Sequence, residues 1–163
     1  MGRRSVKENK SVFQLKREEL GLTREAASMG MTAVSPERLE KIENDKVQMQ
    51  PYDALEMSRC YGAPELRNYY CRNVCAIGTV DVRELEEKDL PQITVDAVSC
   101  LNRLHNRRDR LLDIAADGEL TPDEYRDFTE IRDDLEHLAR MADSLRVWLE
   151  KRMAQGKVTG LEN

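Results

Sequence analysis

The chain has 163 residues, a formal net charge of -5 and four cysteines, which is enough sequence for one ordinary domain or for a small domain with an appendage. Apolar residues make up 40% of it but aromatic residues only 5%, so its cores must be aliphatic, and this favours helices over a β-sandwich. No apolar run approaches the roughly 20 residues that span a bilayer. Four thiols in a chain of this length do not make a disulfide framework. We therefore expect a soluble, cytoplasmic protein that has no membrane partner and keeps its thiols reduced.

The charge is distributed unevenly along the chain. Residues 1–79 contain 13 Lys and Arg against 11 Asp and Glu, whereas residues 80–163 contain 13 against 20. At the start, Glu8 is the one acidic residue among six basic ones: Arg3, Arg4, Lys7, Lys10, Lys16 and Arg17. A basic arm over residues 1–10, beside a near-neutral segment, fits a phosphate-backbone partner. Short basic N-termini are also common without any such partner.

Five short helices are predicted in residues 11–75. Each starts at a side chain that caps a helix, or at a proline that fits its first turn: Ser11, Thr23, Ser35, Pro51 and Pro64. Gly21 and Gly62 end the first and the fourth of these helices. Short helices with connections of a few residues are typical of a compact all-α domain.

Two longer helices are predicted after a charged linker over residues 76–91, which has room for one short helical turn. The first covers residues 93–116 and the second residues 122–154, with a short connection that makes an antiparallel hairpin of residues 92–155. Residues 156–163 form a loose tail. Apolar residues recur in the second helix at alternating spacings of three and four, which predicts a heptad seam: Phe128, Ile131, Leu135, Leu138, Ala142, Leu145 and Leu149.

A two-helix hairpin buries only one stripe of each helix, so a second copy of the chain is expected to cover the rest. The residues predicted to form this homodimer are Phe128, Ile131, Leu135, Leu138, Leu145, Trp148 and Leu149. The acidic surface of the hairpin is an alternative binding site for a different protein.

Three stretches within residues 10–70 resemble the lambda-repressor/Cro-like helix-turn-helix family, also called XRE: "LKREELGLTREAAS", "SPERLEKIENDK" and "PYDALEMSRCYG". The resemblance implies an all-α fold, with a five-helix lambda-repressor-like helix-turn-helix domain in residues 11–75 ahead of the long helical hairpin. It also implies a transcriptional regulator that binds double-stranded DNA sequence-specifically as a homodimer. Three features depart from the family pattern. The segment from Thr23 to Asn44 is one residue longer, the loop from Lys46 to Pro51 is longer too, and Ala27 replaces the usual leucine.

The resemblance implies particular DNA contacts, because the start of the third helix faces base edges in this family. The matching residues are Ser35, Glu37, Arg38 and Lys41; Arg38 could pair bidentately with guanine, and Glu37 could accept from a cytosine amine. Phosphate contacts are expected from Lys16, Arg17, Arg24 and Lys46. However, Glu37, Glu40 and Glu43 repel phosphates, so a protein-interaction adaptor on a degenerate helix-turn-helix scaffold remains the alternative.

The sequence gives little support for a metal site or for an enzyme active site. "DIAADGELTPDE" overlays a calcium loop in part, but Ala115 occupies a ligand position, and a capping box from Thr121 to Glu124 explains the same residues. Cys60, Cys71 and Cys75 could hold zinc or an iron–sulfur cluster, although they lack a nearby fourth ligand, and free cysteines also serve as small core residues. No pattern typical of a catalytic site is present. We therefore predict no metal, no cofactor and no enzymatic activity.

Overall fold

The computed structural model describes residues 10–157, and within that range it contains eight α-helices and no β-strand. The predicted all-α class is confirmed. The basic arm with Arg3, Arg4 and Lys7 lies outside the described residues, as do residues 158–163 of the predicted tail. The chain divides into two compact units: the first runs to Glu84 and takes up again at Glu150, and the second is Leu85–Leu149.

The first unit holds six short helices: α1 (Val12–Glu19), α2 (Arg24–Met29), α3 (Pro36–Glu43), α4 (Pro51–Cys60), α5 (Glu65–Asn73) and α6 (Gly78–Asp81). Three of them begin at the side chains that the sequence predicts as N-caps. The Ser11 hydroxyl accepts the N–H of Gln14 at 3.2 Å, and the hydroxyls of Thr23 and Ser35 each accept the N–H three residues on. Such a cap satisfies one of the amide groups left unbonded at a helix start, which stabilises the helix by about 1 kcal/mol.

The core of the first unit consists of small and medium aliphatic residues with a few rings. The predicted inner contacts of α3, Leu39 and Ile42, are 0% and 4% exposed, which confirms their assignment. The ring of Phe13 meets that of Tyr69 edge to face, with centroids 6.1 Å apart. The predicted inner side of α4 is also buried: Ala54, Met57, Ser58 and Tyr61. Burying a side chain such as Leu39, Met57 or Phe13 contributes roughly 1.5–3 kcal/mol. Packing between the helices therefore stabilises helices that are too short to persist alone.

Helix α6 lies within the predicted linker and provides its expected helical turn. Its backbone approaches the end of α5 closely, because a Cβ atom added at Gly78 would lie only 2.1 Å from the carbonyl oxygen of Cys71. A side chain has no room there, so the glycine is required for α6 to pack on α5.

The second unit consists of α7 (Leu90–Ile114) and most of α8 (Tyr125–Ala154), which pack together as a long helical pair. Helix α7 begins three residues before the predicted residue 93, because Asp89 caps it and accepts the N–H of Gln92 at 2.9 Å. Helix α8 begins three residues after the predicted residue 122, because Thr121 and Glu124 still form a turn there; the hydroxyl of Thr121 donates to Oε2 of Glu124 at 2.7 Å.

The last turn of α8 belongs to the first unit, whereas the sequence predicts it as part of the hairpin domain. Glu150 pairs with Arg67 of α5, and Nζ of Lys151 lies 3.3 Å from Oε1 of Glu65. The apolar periodicity continues along α8 without a break. The sequence therefore does not indicate that the last turn of α8 pairs with α5. None of the described helices is long and apolar enough to cross a membrane.

Candidate nucleic-acid interface

Helix α3 is anchored through its inner side and leaves its outer side exposed. Leu39, Ile42 and Glu43 are buried, whereas Ser35, Glu37 and Lys41 are exposed. A hydrogen bond with the Ser35 side chain lowers the pKa of Glu37, so its carboxylate stays charged in the first turn of the helix, where the helix dipole favours an anion. Three of the four predicted base contacts, Ser35, Glu37 and Lys41, therefore lie within reach of a partner.

The fourth predicted base contact, Arg38, is held by a carboxylate of α4. Its Nε donates to Oδ1 of Asp53 and its Nη2 to Oδ2, both at 2.6 Å. Asp53 is 3% exposed and also accepts the N–H of Gln50 at 2.7 Å, so its position is fixed at the start of α4. The hydrogen bonds to Asp53 raise the pKa of Arg38. The pair is neutral, and Arg38 adds no net positive charge to this surface.

Two of the predicted phosphate contacts, Arg17 and Arg24, instead hold a buried glutamate. Nε of Arg17 donates to Oε1 of Glu43 at 2.6 Å and its Nη2 donates to Oε2 at 2.9 Å, while Nε of Arg24 donates to Oε2 at 2.8 Å. Glu43 is completely buried and Arg17 is 6% exposed. A charge in a protein interior must be paired, and Glu43 supplies this pairing. The prediction of phosphate contact is corrected for Arg17, whose guanidinium is inside the core; Arg24 keeps a partly exposed side chain.

The other two predicted phosphate contacts, Lys16 and Lys46, lie at the surface. Nζ of Lys16 donates to Oε2 of Glu19 at 3.0 Å, a pair that solvent weakens. Lys46 is exposed just after α3, where Asp45 adopts a φ of 56° and the N–H of Lys46 returns to the carbonyl of Lys41 at 2.8 Å. This left-handed residue ends the helix and brings Lys46 back beside Lys41 at the end of α3.

An open groove lies between α2 and the start of α3. Its volume is about 510 Å³, and its wall is mainly apolar. Met29 at the end of α2 is 88% exposed beside it, which is unusual for a large apolar side chain, although single exposed apolar residues are common. The other lining residues are Glu25, Ser28, Met31, Thr32, Ala33, Val34, Ser35 and Pro36. The groove could take an apolar side chain of a partner.

In the second unit, ion pairs join one flank of α7 to one flank of α8. Nε of Arg103 donates to Oδ1 of Asp134 at 2.7 Å, and Nη1 of Arg107 donates to its Oδ2 at 3.0 Å. Further along, Nε of Arg110 donates to Oδ2 of Asp127 at 2.7 Å. Asp134 is only 8% exposed, so these bonds keep its charge satisfied at the edge of the packed surface.

Both helices of the second unit also carry exposed apolar side chains. We call the following set of them the open face, and its residues are 37–63% exposed: Val98, Leu101, Leu112, Phe128, Leu135, Leu145 and Leu149. The buried residues of α8 include polar ones: Ile131, Asp134, Met141 and Ser144.

The residues predicted to form a homodimer therefore divide into three groups. Phe128, Leu135, Leu145 and Leu149 lie on the open face. Ile131 is 1% exposed, so α7 already covers it and it is not available to a second copy. Leu138 and Trp148 are half-buried.

The turn between α7 and α8 uses its acidic residues in local hydrogen bonds. Oδ1 of Asp117 accepts the N–H of Glu119 at 3.0 Å, and Gly118 adopts a φ of 74°. The carboxylate of Glu124 accepts both the N–H and the hydroxyl of Thr121. The bond from the N–H of Thr121 to Glu124 is one of the two bonds of the predicted capping box. The second is replaced, because the N–H of Glu124 bonds to the backbone carbonyl of Thr121 rather than to its hydroxyl. In residues 10–157, no group of three or more His, Cys, Asp or Glu side chains is arranged to hold a metal ion.

All four cysteines are free thiols in the structure. Sγ of Cys60 donates to the carbonyl of Ala27 at 3.3 Å, and burial raises the pKa of this thiol. Sγ of Cys100, which is completely buried, donates to the carbonyl of Asp134 at 2.9 Å. Cys71 and Cys75 pack against the core of the first unit. A raised pKa disfavours the thiolate, which is the reactive form, so Cys60 fits a packing role. Complete burial gives Cys100 a packing role as well.

Comparison of the chain with models of known protein families, with curated proteins and with solved structures gave no match.

Proposed function

We propose that this protein binds double-stranded DNA sequence-specifically, as a homodimeric transcriptional regulator of the lambda-repressor/Cro-like class, and that it acts by binding rather than by catalysis. The observation that carries the proposal is the placement of α3. Its inner side is fixed by three buried residues, while its outer side presents Ser35, Glu37 and Lys41 to solvent. An exposed polar helix on a rigid base is what insertion into a major groove requires.

The distribution of charge predicts weak attraction to the phosphate backbone. Glu43 neutralises much of the charge of Arg17 and Arg24, so attraction depends on lysines such as Lys41 and Lys46. Each phosphate that a cation neutralises contributes about one to the slope of log affinity against log salt concentration. We therefore expect DNA binding that is measurable at low salt and weak at physiological salt.

A second copy of the chain is the proposed occupant of the open face. Its seven apolar side chains are each 37–63% exposed, and a large exposed apolar surface often marks an interaction site. A stable interface between two copies would have to bury roughly 1,200 Å² or more in total. A homodimer would then bind two half-sites of a pseudo-palindromic operator.

Binding of a randomised duplex pool by the purified full-length chain, at two ionic strengths, tests the proposal. Lys41→Ala and Lys46→Ala should each lower the salt slope by about one. Lys88→Ala is the matched control, because it removes the same charge from the second unit, where Lys88 pairs with Asp96. Absence of salt-sensitive binding at low ionic strength would refute the DNA-binding function.

The groove beside Met29 favours the alternative function, a protein-interaction adaptor. Its mainly apolar wall and its exposed methionine suit an apolar side chain of a protein partner better than a phosphate. The acidic hairpin is a further surface for such a partner. If Met29→Asp abolishes co-purification of a protein from the native host while Lys41→Ala does not, the adaptor function is supported instead.

A further inference from the structure

The pair that Arg38 of α3 forms with Asp53 of α4 is arranged to aim a guanidinium rather than only to neutralise it. Arginine has five N–H donors in one plane. Asp53 takes the N–H of Nε and one N–H of Nη2, which together form one edge of that plane. The remaining edge carries N–H groups of Nη1 and Nη2. In the described part of the chain, this edge has no assigned partner, and the side chain is 35% exposed.

From this geometry we propose that Asp53 is a positioning residue, which holds Arg38 so that its free edge reads guanine in a DNA major groove. The inference rests on the proposed DNA-binding function and names the base that its surface recognises. Guanine presents O6 and N7 side by side, and two parallel N–H donors of one arginine match both acceptors. The free edge of Arg38 offers two such donors, while the edge that faces Asp53 is occupied.

The surroundings of Asp53 explain how it can orient a long side chain. It is buried, and its Oδ2 also accepts the N–H of Gln50 at 2.7 Å, so α4 itself fixes the carboxylate. A bidentate pair on a fixed carboxylate restricts the rotamers of Arg38 before any ligand arrives. The conformational entropy of that side chain is then already lost in the free protein, which favours selective contact with a base.

Neutrality of the pair distinguishes this role from ordinary attraction to phosphate. Arg38 with Asp53 has no net charge, so the pair contributes to base preference and little to the salt dependence of binding. Removing the charge of Asp53 should therefore have two effects of opposite sign. Preference for guanine at one position should fall because Arg38 is no longer aimed. Affinity for unrelated duplex should rise because one positive charge has become available.

The test is selection from a randomised DNA duplex pool by full-length Asp53→Asn, Arg38→Ala and the double variant. Arg38→Ala should lose a guanine preference of roughly 5- to 150-fold at one base pair. Asp53→Asn should lose most of that preference at the same base pair while binding unrelated duplex more tightly. The double variant should be no less selective than Arg38→Ala, because the two residues act as one unit.

Glu18→Gln is the matched control, because it also converts a paired carboxylate in the first unit to an amide, but its partners are Lys10 and Gln14. Both variants gain one unit of charge, so both should bind unrelated duplex more tightly, and only Asp53→Asn should lose the guanine preference. Unchanged preference in Asp53→Asn, or equal loss in Glu18→Gln, would overturn the inference while DNA binding stands. Wild-type protein that binds no duplex at low salt would instead refute the proposed function, and the guanine contact with it.

Discussion

At the scale of single residues, the least ordinary group of the first unit is the carboxylate of Glu43. It is fully buried and receives N–H groups from both Arg17 and Arg24, which belong to two different helices. Nη1 of Arg17 also donates to the carbonyl of Leu22 at 2.6 Å. These bonds tie α1, α2 and α3 together at one point. They fix the position of α3 on the first unit.

We predict that Glu43→Ala destabilises the protein by about 3–5 kcal/mol, because it leaves the buried guanidinium of Arg17 without its counter-charge. Glu40→Ala, an exposed change on the same helix, should cost much less. Urea unfolding of the two variants measures the difference. Replacing both Arg17 and Glu43 by apolar residues of similar size should recover much of the loss, since a buried pair is often replaceable as a unit. Equal costs for Glu43→Ala and Glu40→Ala would contradict the role given to this pair.

Glu18 should make the stability of the first unit depend on pH. A hydrogen bond from Lys10, whose Nζ lies 2.6 Å from Oε2, lowers the pKa of Glu18 below its ordinary value of 4.5. A carboxyl whose pKa is lower in the folded state stabilises the fold above its unfolded pKa. That stabilisation is lost as pH falls through the lower, folded pKa.

Glu18→Gln should therefore be less stable than wild type at neutral pH, by an amount below about 1 kcal/mol for a pair near solvent. The two proteins should converge in stability once the pH lies below the folded pKa. Unfolding curves between about pH 3 and pH 7 measure this, with Glu19→Gln as a control for the loss of a largely exposed charge. A stability difference that stays constant across this range would exclude the contribution assigned to Glu18.

At the scale of helices, the sequence predicts the features that depend on residues close together in the chain. The caps at Ser11, Thr23 and Ser35 were predictable because each hydrogen bond spans only three residues. The ion pairs of the candidate site could not be predicted from the sequence. Arg38 meets Asp53 across 15 residues and Arg17 meets Glu43 across 26, and charge patterns do not specify such partners. The sequence therefore predicts a phosphate contact for Arg17, although the partner of Arg17 in the structure is the buried Glu43.

The packing of the hairpin shows the same limit of prediction from sequence. The heptad pattern correctly predicts two long helices, but it counts only apolar residues and therefore combines two adjacent stripes into one seam. The stripe that is buried includes Asp134 and Ser144, and a pattern of apolar residues excludes both. Cross-helix hydrogen bonds from Arg103 and Arg107 make the burial of Asp134 tolerable.

Two leucine-sized residues one turn apart on α8 should therefore differ sharply in their effect on stability. Ile131 is 1% exposed and Leu135 is 48% exposed, so Ile131→Ala should cost about 2–4 kcal/mol and Leu135→Ala below about 1 kcal/mol. Urea unfolding at low protein concentration, where association is minimal, measures both. A cost of Leu135→Ala that matches that of Ile131→Ala under those conditions would show that the buried stripe is assigned to the wrong side of α8.

At the scale of the whole molecule, the open face is the surface that we propose joins two copies of the chain. Its apolar side chains come from both helices of the second unit and stay exposed within the hairpin itself. The hairpin is acidic overall, so two copies would repel each other except where apolar surface meets apolar surface. Association in the proposed dimer is therefore expected at the open face and should be sensitive to a single added charge.

We predict that Leu101→Asp with Leu135→Asp converts a dimer to a monomer, because both side chains are about half exposed on the open face and a buried, unpaired carboxylate is unfavourable. Leu120→Asp is the matched control: Leu120 is 42% exposed on the same unit, but it lies in the turn between α7 and α8 rather than on either helix. Sedimentation at micromolar concentration should give a dimer for wild type and for Leu120→Asp, and a folded monomer for the double variant. The monomer should also bind a two-half-site duplex more weakly, because each half-site then binds independently. A wild-type chain that sediments as a monomer, or a double variant that remains dimeric, would show that this face does not join two copies.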